Sequence, residues 1–384
     1  MTDLAQKGTW LVSAALMMAL GCDSSQPAGE RDAEAPTDAQ VDVDAQVGLD
    51  SGPPGAEDAG SMPIDAFVPD TPLDDTPLGM LARAMEPGTW AELETEMPPD
   101  MMTVETDPET GRRLHIAGWT DDAHWDPTTG QVLYLGFRIR TKMIAFRAST
   151  SAWRELPTFE WPEGQGTRGH VYGNNAHDPA TGTFFHAVAG YRPFSFDVAT
   201  ETWTRRPDAP ARGGHGGSIE FFPEMGGVLR YYRYGGIHSF DPASDTWREV
   251  QGESVTDTVV GYHSLLRYHP RRGEVIVMGG NQTPRGVARI EADGTFTPLA
   301  DVPFDLTVRD DYLLAHPLTE HYLLFLDAFS AAYDYDPDTG ALTELDDFTN
   351  PWASAEMPIS ATIPELGVIL FVDRTVRLYR PHAL

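Results

Sequence analysis

The apolar residues of this chain fall into short runs rather than helical stripes. VLYLGF (132–137), TFFHAVAG (183–190) and EVIVMGG (274–280) are clear examples. Runs of this length, bounded by Gly and Pro, read as buried β-strands. A turn signal precedes them and recurs along the chain. It is Asp126-Pro127 with Gly130, Asp178-Pro179 with Gly182, and Phe222-Pro223 with Gly226. It continues as His269-Pro270 with Gly273, His316-Pro317, and Ile363-Pro364 with Gly367. The Pro-to-Pro spacings are 52, 44, 47, 47 and 47. Pro presets φ for a turn and Gly takes the positive-φ position, so each signal predicts a hairpin. The fifth copy has Glu320 in place of the Gly, which predicts a different turn there.

A second signal keeps the same period. A large apolar residue is followed seven positions on by another: Phe146 and Trp153, Phe196 and Trp203, Phe240 and Trp247, Tyr335 and Leu342. Ile290 and Phe296 form a copy one residue shorter. SFDVATETW and SFDPASDTW show an Asp-initiated turn between two strands, a second hairpin per unit. Each unit is then four short strands, and six such units of ~40–50 residues predict an all-β, six-bladed β-propeller. The sixth unit ends at VRLYRPHAL, so Tyr379 has no partner seven residues on. PGTWAELETEMP (87–98) has the form of that missing outer strand, with Trp90 in the Trp place. Ring closure by this strand would remove an open sheet edge. The stretch from Trp90 to Pro127 is longer than in other units and predicts an extra hairpin around TDPETG (106–111). PLGMLARAM (77–85) predicts one short helix ahead of the ring.

PARGGHGGSIEFFPEMGGVLRYYRYGG (210–236), followed by SFDPASDTW, resembles a kelch repeat. Arg168-Gly169-His170, Tyr262-His263 and the strand ending in Gly279-Gly280 repeat parts of it. The resemblance covers residues 88–384 and extends to the central propeller of galactose oxidase. It implies fold rather than function. The copper-radical chemistry of galactose oxidase needs a Tyr–Cys crosslink, and the only cysteine of this chain is Cys22, far upstream of the repeats. That activity is excluded, and no cofactor is expected.

Composition changes the picture at the N-terminus. Residues 8–21 form one apolar stretch between Lys7 and Cys22, shorter than the ~20 residues of a spanning helix. Its length suits a signal-peptide core, with small Gly21 before the cleavage point. With Cys22 next, residues 1–21 resemble a bacterial lipoprotein signal, although Ala19 stands where Leu is usual. The alternative is an ordinary secretory signal. The resemblance implies lipidation of Cys22 and a lipid-anchored place in the bacterial cell envelope. Residues 22–78 then read as an acidic tether. From 23 to 78 there is one basic residue against 14 acidic ones, a net of 1 − 14 = −13, and Phe67 is the sole aromatic. Such a segment cannot bury enough apolar surface to offset its chain entropy and is expected to be disordered. Residues 79–384 form the ring.

The whole chain carries 27 Lys+Arg against 58 Asp+Glu, a net of −31. This argues against nucleic-acid binding, which requires a basic face. One cysteine rules out a disulfide framework and Cys-clustered metal sites. No two His lie at a metal-ligand spacing on one element, and the DPxTG sequences read as turns rather than calcium loops. Chemistry is expected at the beginnings of the innermost strands, the strands before each Pro turn. There stand Asp121-Asp122, Arg168 with His170, Arg212 with His215, His263, Arg309 with Asp310-Asp311, and Glu356. In kelch repeats the Arg and Gly-His also tie inter-blade loops, so a structural role stays open for His170, His215 and His263. Loops between second and third strands hold Arg138, Arg140, Lys142, Arg192, Arg233, Arg285 and Arg374. A basic rim on an acidic protein could draw an anionic ligand, or its arginines could pair with neighbouring acids. Two functions follow as expectations. One is a monomeric, membrane-anchored lipoprotein that binds a protein or acidic glycan on its loop face. The other is a glycan hydrolase or lyase using His and carboxylates at the channel mouth.

Overall fold

In a computed structural model, the described residues are 71–383. Excepted are 107–112, 120–122, 138–140, 160–172, 189–191, 211–216, 234, 253–259, 261–262, 281–282, 308–310, 327–328, 346–347 and 353–357. Residues 1–70 and Leu384 also lie outside this set, and with them Cys22 and nearly all of the expected tether.

Six four-stranded antiparallel sheets form the ring, and the chain is a six-bladed β-propeller. In five blades the strands follow sequence order. In the first blade these are His124–Asp126, Gln131–Phe137, Thr141–Arg147 and Ala152–Leu156. The first strands of the other blades are Asn175–Asp178, Ser218–Phe222, Leu265–His269, Tyr312–Ala315 and Ile359–Ile363. Neighbouring first strands pack on one another around the axis, and Thr362 bonds the Ala315 carbonyl at 3.3 Å to link blades five and six.

Blade six closes as expected. Strand Thr89–Leu93 pairs with Val376–Arg380, placing Trp90 opposite Tyr379. The same cross-strand pair recurs as Phe146 with Trp153, Phe196 with Trp203, Phe240 with Trp247, Tyr335 with Leu342 and Ile290 with Phe296. Both sheet faces are buried, so strands read as continuous apolar runs rather than alternating ones. Alternate residues serve opposite neighbours. In Glu274–Met278, Ile276 and Met278 pack toward blade five, while Val275 and Val277 pack toward blade three. Each blade interface among the described residues has its own apolar cluster.

The repeat tryptophans latch blades together. Trp203 Nε1 donates to the Pro157 carbonyl at 2.7 Å, and Trp247 Nε1 to the Pro207 carbonyl at 2.8 Å. In each case the acceptor lies where the preceding blade ends. Trp153 donates to Thr95 Oγ1 at 3.3 Å, just past the closing strand of blade six, so the N-terminal strand supplies the equivalent group.

The helix forms over Pro77–Ala84, with the Thr76 side chain accepting from the Gly79 N–H. Leu78 and Ala82 are buried against blades six and one, and Arg380 donates to the Ala82 and Met85 carbonyls at 2.9 and 3.0 Å. The extra hairpin is also present, as Thr103–Thr106 paired with Arg113–His115. Its turn lies outside the described residues.

Candidate functional site

The two ends of the ring differ in kind. One carries the first turn of every blade and the third turn of blades one to five, four residues long except for the 316–321 and 336–341 connections. The other carries the inter-blade connections, such as 157–174 and 206–217, and the loops between second and third strands.

On the turn face the residue that opens the first turn in blades one, two, four and five is committed to that turn. Asp126 Oδ1 accepts the Thr128 N–H at 3.0 Å, and Oδ2 accepts the Thr129 hydroxyl at 2.5 Å. Asp178 repeats this with the Ala180 N–H at 2.9 Å and the Thr181 hydroxyl at 2.6 Å. In blades four and five a histidine stands at the same place. His269 Nδ1 accepts the Arg271 N–H at 3.2 Å, and His316 Nδ1 accepts the Leu318 N–H at 3.0 Å. That bond gives the fifth blade a turn without glycine. Blades three and six, with Phe222 and Ile363, use 3-10 turns ending at Gly226 (φ 85°) and Gly367 (φ 66°). The DPxTG carboxylates are thus spent on turns. Among the described residues, no three His, Cys, Asp or Glu stand together as metal ligands do.

Seven of the described histidines are buried: His124, His177, His186, His238, His263, His269 and His316. Burial pushes His124, His177, His186, His238, His269 and His316 below the usual imidazole range, His269 to about 4 and His186 to about 3. For His124, Arg267 and His177 add to the effect of burial. For His177, Asp126 opposes burial from 3.9 Å, and burial prevails. His124 and His177, 6.4 Å apart ring to ring, stand with Glu220 and Arg267 on first strands of blades one to four, and Glu220 Oε2 lies 3.4 Å from Arg267 Nη1. Sequence reasoning missed these inner-strand polar groups. Their signal was present as polar residues near the ends of otherwise apolar first strands.

The expected site residues fall unevenly. Arg138, Arg140, Arg168, His170, Arg212, His215 and Arg309 lie outside the described residues, as do Asp121-Asp122, Asp310 and Glu356. Arg192 opens the third strand of blade two, opposite Val188. His263 precedes the first strand of blade four in a left-handed conformation (φ 61°) and is buried. Asp311 is buried too. Its Oδ2 accepts the Thr307 N–H at 2.7 Å, and its own N–H donates to the Thr307 carbonyl at 3.1 Å, closing a turn. Arg285 is exposed and its Nε donates to Asp305 at 2.6 Å, beside an open cavity of about 500 Å3 that Asp301 also lines. Lys142, expected on the basic rim, is instead buried in a strand, and its Nζ donates to the Asp100 and Thr103 carbonyls at 2.8 and 3.0 Å. It holds the extra hairpin to blade one. The same hairpin brings His115 Nε2 to 3.6 Å from Asp373 Oδ1, a pair no sequence spacing announces.

These groups define a propeller with one end built of tight turns and the other of long connections. No protein-family model matches the chain, and no curated protein matches it. Among solved structures it is similar to a novel fungal alcohol oxidase of the AA5 family, in complex with copper, at 12% identity over 67% of this chain and 73% of that one, with a TM-score of 0.44.

Proposed function

We propose that this chain is an exported binding protein, lipid-anchored through Cys22, that presents the loop face of a kelch-like propeller to a protein or anionic glycan. The asymmetry of the two faces supports this reading. Asp126, Asp178, His269 and His316 of the turn face cap their own turns, and Thr71–Thr76 and the helix lie against that end. Long connections, where recognition residues are most often carried on rigid scaffolds, gather at the other end.

The enzymatic reading rests on a His–carboxylate pair at the loop face. His115 and Asp373 are such a pair, yet His115 Nδ1 already accepts the Ala117 N–H at 3.3 Å and both side chains are largely buried. Fastening the hairpin to blade six suits them better than general acid–base work on an external bond. A glycan and protein array probed with the Cys22→Ser full chain tests the proposal. Salt-sensitive capture of acidic glycans, or capture of a protein partner, supports it. Turnover of a glycan in place of retention rejects it.

A further inference from the structure

A cavity of about 500 Å3 opens on the loop face of blade four, beside Arg285. One wall is the turn 283–286, closed by the Gly286 N–H on the Thr283 carbonyl at 3.2 Å. The other is the start of the connection that follows strand Phe296–Pro298. Backbone bonds tie the two walls together. The Leu299 N–H donates to the Val287 carbonyl at 2.9 Å, that of Val302 to Arg285 at 3.0 Å, and that of Leu306 to Pro284 at 2.7 Å. Val302 and Leu306 are themselves buried in the apolar cluster between blades four and five. The cavity is therefore preformed, and little ordering is needed to occupy it. Its polar groups are few and differ in sign. Asp305 accepts the Arg285 Nε–H at 2.6 Å, and among the described residues no other group bonds this guanidinium. That contact fixes the fork and leaves Nη1 and Nη2 for a second partner. Asp301, also exposed, lines the same cavity, and Pro284, Pro298 and Leu299 supply apolar wall.

We propose that this cavity takes one uronic acid residue of a glycan. The sugar carboxylate accepts from Arg285 Nη1 and Nη2, in the bidentate geometry a guanidinium favours. The sugar hydroxyls donate to Asp301 and Asp305, which as ionised carboxylates only accept. The C–H face of the ring rests on the two prolines and Leu299, the usual division of labour in a small-molecule site. The aspartates also select among anions. A phosphate dianion brings more charge against them and fewer donors. A neutral sugar leaves the guanidinium fork unfilled. One negative charge with several hydroxyl donors is the chemistry that satisfies all three groups. This assignment rests on the proposed function and deepens it, because it names the glycan chemistry and the blade that reads it.

Titration calorimetry on the full chain carrying Cys22→Ser tests this, with a glucuronate trisaccharide and its carboxyl-reduced glucose counterpart as probes. The parent should bind the glucuronate form about tenfold more tightly, the worth of one charge-assisted contact. Arg285→Ala should remove that advantage and leave affinity for the reduced form nearly unchanged. Arg285→Lys keeps the charge without the fork and should recover only part of it. Arg248→Ala removes the same charge from the exposed outer strand Thr246–Gln251 of blade three and should change neither affinity. Melting temperatures equal to the parent's show that the ring is folded in each variant. Equal binding of the two probes by the parent, or glucuronate affinity unaltered in Arg285→Ala, overturns the assignment. Capture of a protein partner with no glucuronate affinity also overturns it, and leaves the proposed function standing. Glycan turnover combined with Arg285-dependent glucuronate binding does the reverse.

Discussion

His269 and His316 do in blades four and five what Asp126 and Asp178 do in blades one and two: accept a backbone N–H two residues on. The substitution has a cost in acid. An imidazole accepts at Nδ1 only while neutral, and each Nε2–H is also used, on the His321 and His382 carbonyls. Six buried histidines, His124, His177, His186, His238, His269 and His316, have folded-state pKa values below the exposed value of about 6.5. Below that pH the unfolded chain binds more protons than the folded one, so stability falls with falling pH. It should be complete near pH 7 and decline from pH 6.5 toward about 4, the His269 value. Urea unfolding at pH 7 and pH 5 checks this, with a lower midpoint expected at pH 5. His269→Asn keeps an acceptor that does not titrate. It should lose roughly 1–2 kcal/mol at pH 7, from the buried bond to His321, yet show a shallower loss between pH 7 and 5.

At the scale of elements, the closing strand and the extra hairpin decide stability. Trp90 packs against Tyr379, Phe371, Trp352 and Phe348, with ring centroids 4.8 to 5.9 Å away. Trp90→Ala should cost about 3–5 kcal/mol in denaturant unfolding. A chain beginning at residue 100 should melt well below one beginning at 71, because it opens the edge of blade six. Equal melting temperatures would contradict the pairing of Thr89–Leu93 with Val376–Arg380. The extra hairpin depends on a close approach at Gly136, where an added Cβ would come within 2.6 Å of the Ile116 carbonyl oxygen. Gly136→Ala should therefore destabilise by roughly 1–3 kcal/mol. Limited proteolysis should then cut first within 103–116, with the blades intact.

The whole molecule is acidic, so an anionic ligand must be drawn by a local field that acts over about 8 Å at physiological salt. Arg285 already has Asp305 as a partner. Exposed pairs of this kind contribute only ~0–1 kcal/mol, so Arg285 remains available to a better-placed anion. The Arg138→Ala/Arg192→Ala/Arg285→Ala variant should keep its melting temperature and bind an acidic glycan several-fold more weakly, with a reduced salt slope. A fall in melting temperature without loss of binding would assign these arginines to structure. Cys22→Ser should shift the protein from the membrane to the soluble fraction. Retention with membranes would require another anchor.

The repeat, the two hairpins per unit, the pairing of Trp90 with Tyr379, the short helix and the extra hairpin were all legible in the amino-acid order. Each depends on turn chemistry, on short apolar runs or on a helical segment, which are local, and self-comparison over six copies reinforces the repeat. Side-chain partnerships were not legible. Lys142 reads as a rim cation from its position, and only the ring brings the Asp100 and Thr103 carbonyls, some forty residues away, within its reach. His115 with Asp373 and Glu220 with Arg267 are likewise joined by ring geometry rather than by spacing. His269 carries no mark of a turn cap until its ring is seen against the Arg271 N–H. Alternation along a strand says which sheet face a residue takes. Which group waits on the facing blade depends on how six sheets pack around one axis, and that is a property of the tertiary structure.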